Sequence, residues 1–413
     1  MSKAIPDVRF EGFEKEWESV IFKDFLDSKE GIRRGPFGSA LRKEFFVPES
    51  DYVVYEQQNA IYDRYDTRYN ISKEKYEELI KFEVSPGDFI MSGAGTIGRV
   101  SRVPHNVNKG IFNQALIRFK INFDKTDSEY FLQFLRSDLM QQKLTSTNPG
   151  SAMSNLVPMS EVKQWSFFKP SLEEQRKIGF IFKQLDDTIA LQQQLVKQHQ
   201  QYKKAMLQKM FPQKGERVPK IRFEGCIGDW EIRKFKDFIS KAGKKNSSGK
   251  DYISYSVSNK LGLVKQGEQF EGSRLDNLDK TAYKIVNPNE FAYNPARINV
   301  GSIGFNNLGS TVIVSSLYVV LKMSDKINNE YILQFIKSTN FNKEVKKNTE
   351  GSVREYLFYE NFKNIKFPYT SDYKEQQKIG SFFKQLDDTI ALHQKKLEDY
   401  QQLKKALLKR MFV

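Results

Sequence analysis

Cysteine is almost missing from this chain, with one residue, Cys226, in 413. A disulfide framework and a cysteine-built zinc site are therefore excluded. Long apolar runs are missing too. No stretch approaches the ~20 apolar residues that a membrane-spanning helix needs, and mean hydropathy is −0.59. The first residues, Met1-Ser2-Lys3-Ala4-Ile5-Pro6-Asp7, lack the apolar core of a secretory signal, so a cytoplasmic protein with no membrane partner is expected. The histidines, His105, His199 and His393, are too scattered to form a ligand set. There is no phosphate loop of the GxxxxGK[ST] type and no nucleophile–base constellation. The chain is expected to be no enzyme, with no metal and no cofactor of its own.

Aromatic and basic residues are plentiful. Phe 33 and Tyr 19 supply apolar material for more than one core. At about 150 residues per domain the length suggests two or three domains. Lys+Arg 66 against Asp+Glu 51 gives a net charge of +15. Such a balance favours polyanionic partners through long-range attraction.

The strongest signal is an internal repeat. Residues 177–191 read KIGFIFKQLDDTIAL and residues 378–392 read KIGSFFKQLDDTIAL, identical at 13 of 15 positions. The match continues through Lys203-Lys204-Ala205 against Lys404-Lys405-Ala406, and Met210-Phe211 against Met411-Phe412. An opening motif also recurs: Arg9-Phe10-Glu11-Gly12, Trp17 and Lys23-Asp24-Phe25 return as Arg222-Phe223-Glu224-Gly225, Trp230 and Lys236-Asp237-Phe238. Between opening motif and closing segment lies a body that matches only weakly. A nearly constant frame with divergent contents suggests two equivalent scaffolds carrying two different readers.

The closing segments have the period of a helix. Residues 172–210 contain no proline and one glycine, with apolar side chains at Ile178, Phe182, Leu185, Ile189 and onward. The second copy places Ile379, Phe383, Leu386 and Ile390 alike. Ser171 suits the N-cap, and Pro212 and Gly215 stop the first helix. Thirty-nine residues at 1.5 Å each span ~58 Å, too long for the stripe to be buried on one small body. Pairing of the two helices as an antiparallel coiled coil is expected. The bodies are rich in Val, Ile, Phe and Tyr over 45–62, 88–119 and 251–320, which read as strands and turns; 128–143 and 329–346 read as helices. The expected fold is α+β: two globular domains separated by two long antiparallel α-helices forming a coiled-coil spacer, with a pseudo-twofold repeat. The expected boundaries are 1–170, helix 171–212, linker 213–219, 220–371 and helix 372–413.

Few motifs suggest chemistry. Residues 93–98 match GxGxxG, but the alternating residues after them read as a strand, whereas a dinucleotide site needs a helix there. Asp186-Asp187 and Asp387-Asp388 are adjacent on a helix, about 100° apart, and form no acid/base or metal pair alone. Polar and basic residues cluster near glycines. In the first body these are Arg33, Arg34, Ser39, Arg42, Lys43, Gln57, Gln58 and Asn59. In the second they are Ser256, Asn259, Lys260, Lys265, Gln266, Tyr293, Asn294, Arg297 and Asn299. Arg and Lys pair with guanine edges and phosphates, and Asn and Gln with adenine. These are the candidate contacts to double-stranded DNA.

With both repeats in view, the chain resembles the specificity subunit of type I restriction–modification enzymes. The resemblance covers essentially the whole length. Its carriers are the opening motifs, Pro6 to Trp17 and Pro219 to Trp230, the closing EQRKIGFIFKQLDDTIAL and EQQKIGSFFKQLDDTIAL, and the phrases RGPFGSAL, VYEQQNA, SGAGTIG, NPARINVGSIG and GSVREYL. The resemblance implies that each body is a target recognition domain reading one half of a bipartite, asymmetric DNA site. It implies that the helices set the unread gap and dock two methyltransferase subunits, here through Ile178, Phe182, Leu185, Asp186, Asp187, Ile189, Ile379, Phe383, Leu386, Asp387, Asp388 and Ile390. S-adenosylmethionine would sit in those partners, and ATP and Mg²⁺ in restriction subunits. A stand-alone DNA-binding regulator and a coiled-coil adaptor remain open as alternatives.

Overall fold

The computed structural model describes residues 4–145, 158–259, 262–269, 280–349 and 356–413. The chain divides into two units, Met1–Gln193 with Lys395–Val413, and Gln194–Gln394. Each unit holds one body, the first part of the long helix that follows it, and the last part of the other long helix.

The strands of the first unit are β1 (Glu18–Ile21), β2 (Ile32–Arg34), β3 (Phe46–Val47), β4 (Tyr52–Tyr55), β5 (Tyr69–Ile71), β6 (Phe89–Ser92), β7 (Val100–Arg102), β8 (Gly110–Phe112), β9 (Leu116–Phe119) and β10 (Ser166–Lys169). They form two four-stranded sheets, β2-β9-β6-β7 and β3-β5-β4-β8, and a β1-β10 ladder. The second unit has β11 (Glu231–Lys234), β12 (Ile239–Lys241), β13 (Ser254–Ser258), β14 (Gly262–Lys265), β15 (Lys284–Val286), β16 (Glu290–Tyr293), β17 (Ile303–Phe305), β18 (Val312–Val314), β19 (Val319–Met323) and β20 (Lys366–Tyr369). Its sheets are β12-β19-β16-β17 and β14-β13-β18-β15, with a β11-β20 ladder. The first sheets of the two units share one order. The second sheets share a parallel pair, β4 with β8 and β13 with β18. They then diverge. β15 adds a full strand to β18, whereas the first unit has a single bridge there, Glu83 to Ile111. The duplication thus extends into the bodies and breaks down in the second sheet.

The helices are α1 (Gln57–Tyr62), α2 (Lys73–Glu78), α3 (Ser128–Arg136), α4 (Asp138–Thr145), α5 (Met159–Val162), α6 (Leu172–Met210), α7 (Gln266–Gln269), α8 (Asn329–Ile336), α9 (Thr339–Asn348), α10 (Tyr359–Phe362) and α11 (Tyr373–Arg410). Two expected single helices are each broken in two. Ser137 closes α3 through its N–H to Phe134 O (3.2 Å) and accepts from Met140 N (3.4 Å) in the next helix. Ser338 caps α9 the same way, accepting from Phe341 N (3.2 Å). A serine that satisfies backbone groups on both sides competes with a continuous helix.

The opening motifs are explained by α6 and α11. The buried Glu174 carboxylate accepts from Arg9 Nε (2.7 Å), Arg9 Nη2 (2.9 Å) and Trp17 Nε1 (3.2 Å). Glu375 accepts likewise from Arg222 Nε (2.6 Å), Arg222 Nη2 (2.8 Å) and Trp230 Nε1 (3.2 Å), and also from Thr370 Oγ1 (2.9 Å). Gly179, the glycine inside α6, lies against the start of α3. A Cβ there would stand 2.6 Å from Asp127 Oδ1 and 2.7 Å from Tyr130 N. Gly380 meets the start of α8 in the same way.

The long helices pair antiparallel within each unit. In the first, Lys404 Nζ on α11 donates to Asp186 Oδ1 on α6 (2.6 Å), and Gln133 Nε2 of α3 donates to the other oxygen (2.9 Å). In the second, Lys203 donates to Asp387 Oδ1 (2.6 Å) and Gln334 Nε2 to Oδ2 (3.3 Å). The core of the first unit includes Ile178 and Phe182 and is completed by Met411 and Phe412. The core of the second includes Ile379 and Phe383 and is completed by Met210 and Phe211. The units therefore divide inside the helices rather than at their ends, because each core takes the start of its own helix and the end of the other.

This corrects one expectation. Ile178, Phe182, Leu185, Ile379 and Phe383 are buried in these cores, so they present no docking surface. Their stripe faces the body before it faces the partner helix. Asp186 and Asp387 are likewise engaged inside their units. Ile189, Leu386 and Ile390 are half-buried, and Asp187 and Asp388 are exposed, each bonded to the lysine one turn back.

Candidate nucleic-acid interface

In the first unit, four chain segments meet at one end of the two sheets. Gly35 N donates to Leu116 O (3.0 Å), which ties the end of β2 to the start of β9. Gly93 N donates to Ala115 O (2.7 Å), and Asn113 N to Tyr55 O (2.9 Å). Gln57 Nε2 donates to Ala94 O. Side chains on Gly35 and Gly38 would collide with Asn113 O and Gln114 Oε1. The loop 35–38 is thus pressed onto residues 113–115 by its glycines, and loop 93–98 lies on the other side of them.

This end gathers several of the expected contacts. Arg34, Ser39, Arg42 and Lys43 are exposed, and Gln57 and Gln58 are half-exposed. Arg42 has a weak exposed partner, Glu44 at 3.3 Å. Arg33 instead turns toward Glu30 (3.0 Å), in a network where the buried Arg118 also reaches Glu30 (2.7 Å) and Glu83 O (2.6 Å). Burial raises the Glu30 pKa, but the Arg118 hydrogen bond and charge outweigh it and leave the carboxyl below its usual value. Asn59 is a correction. It is fully buried, its carbonyl caps α1 at Glu56 N (2.7 Å), and its amide bonds Arg64 O (2.7 Å) and Asp66 O (3.1 Å). Its amide oxygen and nitrogen are thus taken up within the fold, and it acts as a structural staple.

In the second unit the corresponding end is built by Asn259 after β13, by the loops 294–302 and 315–318 and by the segment 242–250. Ser302 Oγ donates to Val257 O (2.8 Å), and a Cβ on Gly301 would lie 3.4 Å from Asn259 O, so the loop 294–302 touches the end of β13. Asn259 and Arg297 are exposed there, and Asn294 and Asn299 half-exposed; Lys265 is exposed too but pairs with Tyr255 at the opposite end of β14. Asn294 Oδ1 accepts from Ala296 N (3.0 Å), which holds the loop. Ser256, Gln266 and Tyr293 are corrections, since all three are buried. Ser256 and Tyr293 lie in β13 and β16, with their side chains inside the sheet layers. Lys260 lies outside the described residues.

A basic group here was not anticipated from sequence. Lys245 bridges Lys284 across the strands, and Ile285 N donates to Lys244 O (2.9 Å). Lys284 Nζ donates to Tyr318 O (2.6 Å). Burial pulls the Lys284 ammonium below its usual value, and the like charges of Lys241 and Lys245 pull it further. Among the described residues no carboxylate pairs with Lys241, Lys244 or Lys245. The available signal was local: KAGKKNSSGK at 241–250 packs four lysines into a Gly/Ser-rich stretch.

Other candidates have structural roles. Loop 93–98 joins the antiparallel strands β6 and β7 and opens no helix, which removes the dinucleotide reading. Cys226, Asp372 and Glu375 bring ligand atoms within 4.8 Å of one another, but Glu375 is already held by Arg222, Trp230 and Thr370. Burial pushes the Cys226 thiol up, which disfavours the metal-binding thiolate. His199 and His393 stack with ring centroids 5.3 Å apart. They adjoin an open groove of about 420 Å³ lined by Tyr202, Phe382 and Leu386, which shares no residue with the loop ends. Among the described residues no helix is long and apolar enough to cross a membrane.

Comparison with known proteins agrees with this architecture. The family model described as type I restriction modification DNA specificity domain matches twice, over residues 14–198 and 227–401. The type I restriction enzyme MjaVIII specificity subunit of Methanocaldococcus jannaschii is 24% identical over 317 residues, 73% of each chain. A putative MjaX specificity subunit from the same organism is 21% identical over 347 residues, 81% of this chain and 79% of the relative. The crystal structure of a type I restriction-modification S subunit from M. genitalium superposes with a TM-score of 0.65 at 14% identity, covering 99% of both chains.

Proposed function

Because the chain belongs to the type I restriction modification DNA specificity family, we propose that it reads a bipartite, asymmetric DNA site, one half-site per body. The observation that carries this reading is the pair of equivalent sheet frames whose loop ends differ. The first sheet repeats down to strand order, while the residues at the loop end are Arg34, Ser39, Arg42, Lys43 and the half-exposed Gln57 in one body and Lys241, Lys245, Asn259 and Arg297 in the other. Different side chains on one frame give different half-sites.

In this reading α6 and α11 set the unread gap and dock two methyltransferase subunits, through which restriction subunits join. This chain performs no catalytic step. S-adenosylmethionine serves the methyltransferase, which also flips the target base, and ATP with Mg²⁺ serves the restriction subunits. The test is an exchange of residues 26–160 for the corresponding body of a relative, read by methylome sequencing of cells expressing the complex. One half-site is expected to change while the other stays. A change in both, or failure of any methyltransferase to co-purify with the chain, overturns the reading.

The lysine group makes a separate prediction. Phosphate contacts release counterions, so each lost contact flattens the salt dependence of binding by about one unit of slope. Lys241→Ala combined with Lys245→Ala is expected to weaken binding to all sequences alike and to lower the log–log salt slope by about two. Titrations at several salt concentrations measure this, and an unchanged slope would remove the group from the interface.

A further inference from the structure

Among the exposed apolar side chains at the two loop ends, Phe37 in the first body and Leu317 in the second are the most exposed of those described. Phe37 is 89% exposed and Leu317 is 78% exposed. Neither sits on a loose tip. Phe37 is held by the glycines on either side, which press loop 35–38 onto residues 113–115, and by Ala40 N donating to Phe37 O (2.9 Å). Leu317 sits in a tight turn in which Tyr318 N donates to Ser315 O (3.1 Å) and Leu317 N to Ser315 Oγ (3.4 Å).

The two positions are related by the repeat. Phe37 follows β2, which pairs with β9; Leu317 precedes β19, which pairs with β12. Both therefore project from the same end of the equivalent ladder, although different loops supply them. Both stand among cations: Arg34, Arg42 and Lys43 around the first segment, and Lys241, Lys245 and Lys284 around the second. An apolar protein partner does not call for that ring of positive charge. A nucleic acid supplies both complements, a charged backbone outside and apolar base faces inside.

We propose that Phe37 and Leu317 are wedges that insert between neighbouring base steps, one in each half-site. The proposal rests on the DNA-reading function proposed above and adds how each body deforms its half-site. Apolar wedges of this kind unstack a step and bend the duplex, which makes the deformability of that step part of what is read. An aromatic wedge can also stack on the base it exposes, which an aliphatic one cannot.

The test uses the full-length chain with its methyltransferase partners on duplexes carrying the site found by methylome sequencing. A 2-aminopurine probe is placed at successive steps of each half-site. With the wild type, fluorescence is expected to rise at one step per half-site. Phe37→Ala is expected to abolish the rise in the first half-site only and to weaken binding about tenfold, a typical scale for one lost specific contact. Leu317→Ala is expected to do the same in the second. Phe37→Trp should keep the signal. Because both side chains are exposed, the thermal transition should not move. Wild-type binding and fluorescence in both alanine variants would overturn the wedges while leaving the DNA-reading function standing. So would loss of methyltransferase co-purification in an alanine variant alone, with its DNA contacts intact and the wild type still co-purifying. Absence of any sequence-specific binding by the wild-type complex would overturn both.

Discussion

Phe412→Ala is expected to destabilise the first unit severely and leave the second untouched. Phe412 lies just beyond the C-terminal end of α11, yet its ring packs 5.4 Å from Tyr130, 6.2 Å from Phe134 and 5.9 Å from Phe182. These rings belong to the first unit's core, where Tyr130 and Phe182 are fully buried. Deleting a buried phenyl ring costs about 3–5 kcal/mol, the lost transfer term plus the cavity left behind. That is a large part of the ~5–15 kcal/mol by which folded domains are stable. Phe211→Ala should act on the second unit by the same amount, since Phe211 packs 5.5 Å from Tyr331 and 5.9 Å from Trp230. Leu403→Ala, at an exposed position on the same helix, serves as control and should stay within about 0.5 kcal/mol. Urea unfolding followed by hydrogen exchange would assign each loss to its unit. Equal effects of Phe412→Ala and Leu403→Ala would show that the helix end does not complete the core.

The second large effect is expected at Glu375. Its carboxylate is fully buried and accepts from Arg222 twice, from Trp230 and from Thr370. Glu375→Ala strands a mostly buried guanidinium without a counter-charge and leaves the Trp230 indole N–H and the Thr370 O–H without an acceptor. Breaking one side of such a pair costs about 3–5 kcal/mol. Glu174→Ala should cost somewhat less, because the Glu174 site lacks the counterpart of the Thr370 bond. Replacing both partners, Arg222→Met with Glu375→Leu, should recover much of the loss, because a well-packed apolar pair avoids the desolvation that an ion pair must overcome. A double-mutant cycle measured by thermal and urea unfolding checks this. A double variant as unstable as Glu375→Ala alone would mean that Trp230 and Thr370, rather than the charge, dominate the site.

These two sites also show where sequence reasoning reached and where it stopped. The repeated Arg9 and Trp17 motif was visible as a pattern, but its partner Glu174 lies 165 residues away. Nothing local links them. Met411-Phe412 was visible as an echo of Met210-Phe211, but a copy of a motif does not say which core it enters. Asn59, Ser256, Gln266 and Tyr293 had suitable chemistry for reading bases, yet residue type does not reveal which side of a strand faces inward or which amide caps a helix. The lysine group was missed for the converse reason. Lys241 and Lys245 are near in sequence, but Lys284 joins them only through strand pairing.

The amino-acid sequence by itself determined the duplicated order of body and helix, the α+β character, the long helices and the family. The first three follow from local periodicity, near-identical segments and composition, and the family from the motifs that resemble it; none needs knowledge of distant contacts. Tertiary structure alone decided that each core is closed by the end of the other repeat's helix, that the buried glutamates anchor the opening motifs, and which polar side chains reach the loop ends. Those outcomes depend on burial and on charge pairs between residues more than a hundred positions apart, and such couplings exist only once the chain has folded.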